Sequence, residues 1–262
     1  MKISLFALFV SATLFSCNAK PEKTLKSKEF TENDDFNQYP KSKDKVLTIE
    51  DIVPGSADSV GGYAIKYKDT TLYVQNGSKP LVTKFREARF INSQKTAVLV
   101  QVEDGAGIYA PFYVIGLNDG QTSAVSLSKP SSGKGDKDFA KGLQEITRTT
   151  LVVNNDFVVA TVPGKVYPIK RKNSAELIQG NFILYSADKG TLVFALDKSL
   201  YQVNYITGET LEIPLEASLS QSGNMVNQIQ HDYAWEKNAR GTSFLKPKPD
   251  DNRVVDISEF KK

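Results

Sequence analysis

The strongest constraint on the fold of this chain is a repeat within its own sequence. The segment RFINSQKTAVLVQVEDGAGIYAPFYVIGLNDGQTSAVSL (residues 89–127) aligns with NFILYSADKGTLVFALDKSLYQVNYITGETLEIPL (residues 181–215). Each copy has a strand, a polar turn, a second strand, a connection and then a hairpin. The hairpin tips are Asn118-Asp119-Gly120-Gln121 and Ile206-Thr207-Gly208-Glu209, whose glycines suit the left-handed backbone that such tips require.

Looser copies of this pattern occupy residues 61–83, 150–178 and 231–257. They bring the total to four or five units of about 30 to 45 residues, close to the length of a four-stranded propeller blade. The order of strands and turns resembles the degenerate blades of quinoprotein-like and WD-repeat-like proteins. This resemblance implies one all-β, β-propeller-like domain over residues 46–262. A β-sandwich or an open barrel is the alternative, because both also have short strands at regular spacing.

The strands are short and rich in β-branched residues, as in TAVLVQVE, FVVATV and TLVFALD. Only residues 135–146 have helical spacing, with Phe139, Leu143 and Ile146 on one side and Gly142 as a weak point. The sequence therefore predicts a single short helix inserted in a loop.

The N-terminus has the pattern of a secretory signal, with Lys2 followed by an apolar run over residues 3–15. This run is shorter than the roughly 20 residues of a transmembrane helix. Leu14-Phe15-Ser16-Cys17 resembles the lipobox of bacterial lipoproteins. The resemblance implies removal of residues 1–16 and acylation of Cys17, the only cysteine in the chain. Asn18, where an aspartate would mark retention in the inner membrane, implies an outer-membrane location in the cell envelope.

Residues 17–45 are rich in Lys, Glu, Asp, Asn, Ser and Pro and contain few apolar side chains. Such a segment buries too little apolar surface to offset the entropy of ordering it, so we expect a flexible, lipidated tether. The net charge of +3 is too small to indicate a nucleic-acid partner. With one cysteine the chain forms no internal disulfide.

Few residues offer catalytic chemistry. His231 is the only histidine, and on a strand its side chain would point away from that of its neighbour Asp232. Metal sites built from several Cys or His residues are excluded by this inventory. Carboxylate pairs of the glycosidase type are conceivable, but each candidate lies in or beside a predicted turn, where Asp caps the backbone; they are Glu103, Asp104, Asp119, Asp156 and Asp188. We therefore expect no enzymatic activity, no metal and no cofactor.

Two kinds of side chain are candidates for contact with a partner. One is a basic cluster around a predicted hairpin, which could meet an acidic protein or lipid headgroups or protect an edge strand; its members are Lys165, Lys170, Arg171 and Lys172. The other consists of two aromatics outside the expected core, Tyr109 and Trp235.

These features together favour a non-enzymatic envelope lipoprotein that binds a protein partner. One concrete form is an immunity protein that neutralises a secreted antibacterial effector. The alternatives are a scaffold for outer-membrane assembly and a surface protein that binds glycans or is a reduced glycosidase.

Overall fold

The computed structural model describes residues 20–37, 45–53, 61–76, 79–80, 85–103, 109–127, 141–171, 177–216, 219 and 222–249. Strands account for most of these residues. In chain order the strands are β1 (Glu22–Glu29), β2 (Leu47–Ile52), β3 (Gly62–Tyr67), β4 (Thr70–Asn76), β5 (Lys79–Pro80), β6 (Phe85–Phe90), β7 (Ala97–Glu103), β8 (Tyr109–Asn118), β9 (Gln121–Ser126), β10 (Leu143–Thr147), β11 (Thr150–Val153), β12 (Phe157–Ala160), β13 (Lys165–Pro168), β14 (Asn181–Tyr185), β15 (Thr191–Ala195), β16 (Ser199–Asn204), β17 (Thr210–Pro214), β18 (Tyr233–Lys237) and β19 (Ser243–Pro247). The helix α1 (Met225–Asp232) precedes β18.

The first sheet contains a closed barrel. Its nine strands follow the order β2-β3-β6-β7-β8-β9-β1-β4-β5, and β3 also pairs with β4. That additional pairing closes a ring of seven strands, β3-β6-β7-β8-β9-β1-β4. Two further strand pairings complete the ring. Tyr63 of β3 pairs with Phe85 of β6, and β1 pairs in parallel with both β4 and β9. Closure leaves these seven strands without a free edge.

The remaining sheets are simpler. Strands β10 to β13 form a second sheet and β14 to β17 a third, each an antiparallel meander in which spatial order equals chain order. Strands β18 and β19 form a final hairpin. Ile229 of α1 is fully buried against this hairpin and the third sheet.

Successive sheets pack face to face, with a separate hydrophobic core at each interface. The first core fills the barrel, the second lies between the barrel and the second sheet, the third between the second and third sheets, and the fourth between the third sheet and the terminal hairpin. Adjacent residues of one strand enter different cores: Val98 faces the first and Leu99 the second. Strands covered on both faces need apolar residues at successive positions, which explains runs such as TAVLV.

The predicted hairpin tips are confirmed. Asp119 and Gly120 have φ values of 48° and 84° between β8 and β9, as a two-residue turn with two left-handed positions requires. Gly208 has a φ of 77° in the turn between β16 and β17. The paired turns between β6 and β7 and between β14 and β15 also correspond, because Lys95 and Lys189 are left-handed at φ 57° and 59°.

The all-β prediction is confirmed, and the repeat corresponds to real sheets: residues 181–215 contain the whole third sheet. A propeller is not shown, because the strands of the first two predicted units join in one closed barrel. The predicted helix over residues 135–146 is wrong where it is described. Leu143 and Ile146 lie on β10 and face the second and third cores, because residues three apart on a strand point to opposite faces.

Over the described residues 20–37, the interpretation of residues 17–45 as a flexible tether is corrected. Within them, β1 is an eight-residue strand paired with β4 along one half and with β9 along the other. Leu25 enters the first core, and Phe36 enters the second. A segment of low apolar content is ordered here because β1 pairs with two strands, so its backbone gains hydrogen bonds that its composition does not reveal. Cys17 lies outside the described residues.

Buried side-chain amides connect successive sheets. Nδ2 of Asn155 in the second sheet donates to the carbonyl oxygens of Ile178 at 2.9 Å and Gly180 at 2.8 Å. Gln202 of β16 both donates to the Leu245 carbonyl and accepts from its N–H, each at 2.7 Å. These bonds supply partners for backbone groups that packing would otherwise bury unpaired. No helix in the part of the chain that the structure describes is long and apolar enough to span a membrane.

Candidate functional site

A cleft of about 340 Å³ opens between three parts of the chain. One wall is the loop that follows β1, here called the acidic loop (residues 31–37). The other wall is β13 with the residues after it, and the turn between β16 and β17 closes one side. The cleft therefore lies where the N-terminal segment crosses the second and third sheets.

Carboxylates of the acidic loop form the first wall. Asp34 accepts hydrogen bonds from the Thr31 N–H at 2.8 Å and the Thr31 hydroxyl at 3.1 Å, and it forms an ion pair with Lys28. Although burial raises the pKa of Asp34, these hydrogen bonds outweigh it and hold that pKa below its ordinary value. Asp35 accepts from the Asn37 N–H at 2.8 Å. The Asp34 and Asp35 side chains thus hold the loop in a defined conformation.

Packed aromatic rings attach the acidic loop to the body of the protein. Phe36 stacks on Phe30 with ring centroids 6.5 Å apart, and Phe30 meets Phe157 of β12 edge-on at 5.7 Å. Asn92 donates to the Phe36 carbonyl at 2.6 Å. Gly164 has a φ of +62°, and a Cβ there would lie 3.0 Å from the Phe36 carbonyl oxygen. The loop therefore fits closely against the turn before β13.

Lysines form the second wall. Lys165 and Lys170 are exposed and line the cleft. Lys170 lies against the turn between β16 and β17, since a Cβ at Gly208 would approach its Cδ to 3.0 Å. Among the described residues neither lysine forms an ion pair.

The floor and rim of the cleft are apolar and aromatic. Tyr167 of β13 and Tyr205 contact each other with ring centroids 5.6 Å apart and planes inclined by 56°. Burial, and then the neighbouring Tyr167 and Asp188, raise the pKa of the Tyr205 phenol. Ile206 is 57% exposed at the rim, on a turn whose N–H groups are held by the Asn204 side chain. The cleft thus combines both signs of charge with uncovered apolar surface.

The predicted basic cluster is only partly brought together. Lys165 and Lys170 share the cleft, whereas the side chain of Arg171 is 1% exposed and forms an ion pair with Asp156 of the second sheet. The sequence interpretation placed no acidic neighbour on this hairpin, but the turn before β12 supplies one. Arg171 is therefore a buried structural residue in this structure, and Lys172 lies outside the described residues.

Neither predicted aromatic is among the described residues that line the cleft. The backbone of Tyr109 is in β8, where it pairs with Glu103, and its side chain lies outside the described set. Trp235 is on β18, 37% exposed and opposite Leu245 of β19. It belongs to the terminal hairpin rather than to the cleft.

His231 and Asp232 differ from expectation. They are the last two residues of α1 rather than part of a strand, and the imidazole Nδ1 lies 2.6 Å from the Asp232 carboxylate oxygen Oδ1. Both side chains are exposed. Across the described ranges, no three His, Cys, Asp or Glu side chains are grouped as they would be to hold a metal ion.

Of the candidate carboxylates, Asp156 and Asp188 have partners within the protein. Asp156 pairs with Arg171, and Asp188 accepts from the Ser186 hydroxyl and from the Gly190 N–H at 3.0 Å. The Ser186 and Gly190 bonds lower the pKa of Asp188. Asp188 thus caps its own turn, as its position in the sequence suggested. Asp104 lies outside the described residues.

Sequence reasoning missed the acidic loop, Tyr167, Tyr205 and Ile206 as members of one site. The pair Phe30 and Phe36, which flanks the acidic residues, was the available signal that this segment packs against the body. Comparison of the chain with protein-family models, with curated proteins and with solved structures finds no match.

Proposed function

We propose that this protein is a non-enzymatic lipoprotein of the bacterial envelope, anchored through Cys17, and that it binds a protein partner in the cleft beside the acidic loop. The observation that carries the proposal is the pair Lys165 and Lys170, exposed and without an ion pair in the described chain, opposite a loop of ordered carboxylates. Complementary charges steer protein partners and set their orientation.

The chemistry of the cleft indicates what the partner presents. A carboxylate would meet Lys165 or Lys170, and an apolar side chain would cover Ile206 and the ring edges of Tyr167 and Tyr205. Aromatic and apolar anchors inside a polar rim are the usual pattern of protein interfaces. In its most concrete form, the partner is a secreted antibacterial effector and this chain is its immunity protein.

The test is affinity capture from envelope extracts with the acylated protein and two double variants. Lys165→Glu/Lys170→Glu reverses the cleft lysines, and Lys189→Glu/Lys198→Glu reverses two exposed lysines of the third sheet. We expect a stoichiometric partner that the wild type and the control retain, and whose affinity for the cleft variant falls at least about tenfold. Equal retention by all three proteins would contradict the cleft as the binding site.

The immunity form has its own test. Cells that express a candidate effector should survive when they also express the wild-type chain or the control variant, and they should die with the cleft variant. Absence of protection by the wild type, at equal protein level, would refute the immunity form. Absence of radiolabelled fatty acid on the wild type, compared with Cys17→Ala, would refute the lipid anchor.

We also propose that the stacked four-stranded sheets are blades of an irregular propeller-like arrangement. Support comes from the meander order of the second and third sheets and from the separate core between each successive pair. An experimental structure in which the sheet axes follow a line, rather than an arc around a common centre, would contradict this arrangement.

A further inference from the structure

Several turns that are distant in sequence meet at the end of the barrel where β1 begins. The Thr71 N–H donates to the Pro21 carbonyl at 2.9 Å, just after the turn between β3 and β4. The Leu47 N–H donates to the Lys95 carbonyl at 2.8 Å, and Leu47 is paired with Tyr67. These bonds bring together the start of β1 with residues 68–69 and 92–96.

Two further turns belong to the same end. A Cβ added at Gly120 would lie 3.5 Å from the Tyr67 hydroxyl, which places residues 119–120 there. Asn92 forms a β-bridge with Pro163, and the Thr161 N–H donates to Thr149, so residues 148–149 and 161–164 lie beside them. We call this surface, made of residues 20–23, 68–69, 92–96, 119–120, 148–149 and 161–164, the Lys20 end.

Within the residues of the Lys20 end, basic side chains outnumber acidic ones, and the acidic loop borders the surface where Phe36 contacts Asn92 and Gly164. Its exposed basic side chains are Lys20, Lys23, Lys68, Lys95 and Arg148, and its exposed carboxylates are Glu22, Asp69 and Asp119. None of the five basic groups forms an ion pair with another residue that the structure describes. Val162, 57% exposed, adds an apolar side chain to the same surface. Basic groups around an exposed apolar residue suit an interface with anionic lipid.

The length of chain before this surface limits how far a membrane can be from it. Cys17 is three residues before Lys20, and three residues span at most about 11 Å. An acyl group on Cys17 would therefore keep Lys20 within about 11 Å of the membrane surface, close to the distance of roughly 8 Å over which charges act at physiological salt. Because the paired strand β1 begins at Glu22, no flexible segment separates Lys20 from the barrel.

We propose that the Lys20 end faces the membrane and that its lysines bind the headgroups of anionic phospholipids. The inference rests on the proposed lipid anchor for its geometry, and it deepens that proposal by assigning an orientation to the protein.

Binding to vesicles tests the lipid contact without acylation or a protein partner. The chain starting at residue 17 with Cys17→Ala keeps every residue that the structure describes. We expect it to sediment with phosphatidylcholine vesicles that contain phosphatidylglycerol and not with phosphatidylcholine alone.

Lys68→Gln/Lys95→Gln should lower the partition coefficient roughly 25-fold, since each lysine at an anionic surface contributes about fivefold. Lys189→Gln/Lys198→Gln, with the same change of net charge, should lower it less than about twofold. Equal binding to both vesicle types, or equal losses in both variants, would overturn the proposal.

The orientation is tested with two exposed valines at opposite ends of the barrel. Val162 is at the Lys20 end, whereas Val53, 81% exposed, follows the other end of β2. In the Cys17→Ala chain, an environment-sensitive fluorophore on Val162→Cys should shift to the blue and be quenched by nitroxide lipids, and one on Val53→Cys should not. Quenching at Val53 alone, at both positions or at neither would refute the orientation.

Thermal unfolding confirms that each variant is folded. Because this assay needs no partner, its failure would leave the capture result with Lys165→Glu/Lys170→Glu unaffected.

Discussion

Arg171 and Asp156 form the most buried ion pair between described residues, with side chains 1% and 4% exposed. Arg171 also donates to the Asn155 carbonyl at 3.1 Å. Removal of one partner leaves a buried charge without its opposite charge, which typically costs 3–5 kcal/mol, whereas removal of both costs less. The pair therefore ties the residues after β13 to the turn before β12.

We expect Arg171→Met to lower the free energy of unfolding by about 3–5 kcal/mol, and Arg171→Met/Asp156→Leu to lose less than the sum of the single variants. Urea unfolding measures each value. The exposed pair Lys246 and Glu236, with side chains 44% and 49% exposed, is the control; breaking it should cost less than about 1 kcal/mol. Similar losses for both pairs would contradict the structural role of Arg171.

Tyr113 is fully buried in the barrel, and its hydroxyl finds no hydrogen-bond partner among the residues described. A buried polar group without a partner costs about 1–3 kcal/mol. We expect Tyr113→Phe to raise the free energy of unfolding by about 1 kcal/mol at neutral pH. A lower stability of the variant in urea unfolding would show that the hydroxyl has a partner.

The same residue predicts a change at alkaline pH. Burial raises the pKa of the Tyr113 phenol from 10.0 to about 12. The unfolded chain therefore ionises at lower pH than the folded one, so this contribution to stability is present below pH 10 and is lost as the pH rises towards 12. Tyr113→Phe should reduce the slope of unfolding free energy against pH in this range. An unchanged slope would contradict the burial of the phenol.

At the scale of the element, the question for β1 is whether it is a paired strand of the barrel or a flexible tether, and a proline substitution can test this. Pro21 accepts a hydrogen bond from Thr71 of β4, and alternate residues of a strand face the same neighbour, so the Lys23 N–H also points to β4. Proline cannot donate this bond. The Lys23 side chain is exposed, so its replacement tests the backbone alone.

We expect Lys23→Pro to lower the free energy of unfolding by about 2 kcal/mol and to expose residues 22–29 to protease, because it leaves a strand acceptor unpaired. Lys20→Pro, before the strand, should change stability by less than about 0.5 kcal/mol. Urea unfolding and limited proteolysis measure both effects. No difference between the two variants would indicate that the segment is a tether after all.

At the scale of the whole molecule, three acidic side chains make stability depend on pH. The Ser186 bond lowers the pKa of Asp188, and the Thr242 bond lowers that of Glu209, which joins the third sheet to the terminal hairpin. Asp34 of the acidic loop also has a lowered pKa, as described above. Their ordinary values are 3.8, 4.5 and 3.8 respectively.

Because these folded-state pKa values lie below those of the unfolded chain, the stability that the three carboxylates contribute is present above about pH 4.5. It is lost as the pH falls through the folded-state values. We expect the free energy of unfolding to decrease from about pH 5 downwards, and Asp188→Asn to make this decrease less steep. Urea titrations at several pH values test it; a wild-type stability that is constant down to pH 3 would contradict it.

The sequence by itself determined the all-β class, the alignment of residues 89–127 with 181–215 and the turns at Gly120 and Gly208. These features are local: side-chain alternation, β-branched composition and glycine at left-handed positions act within a few residues. The prediction of a helix over residues 135–146 failed because spacing alone does not distinguish one helix face from two faces of a strand. Leu143 and Ile146 are three residues apart in either case, and only the cores on both sides of β10 decide between them.

Only the tertiary structure decided how the units join and which residues form the cleft. The closure of the barrel depends on β1, whose partners β4 and β9 are about 50 and 100 residues away along the chain. The same long-range packing turned Arg171 inward to Asp156 and placed the acidic loop opposite Lys165. Charge and exposure depend on neighbours that are close in space, and a linear pattern carries no record of them. For this reason the sequence identified a basic hairpin, but only the fold shows that Lys165 and Lys170 form one wall of a cleft.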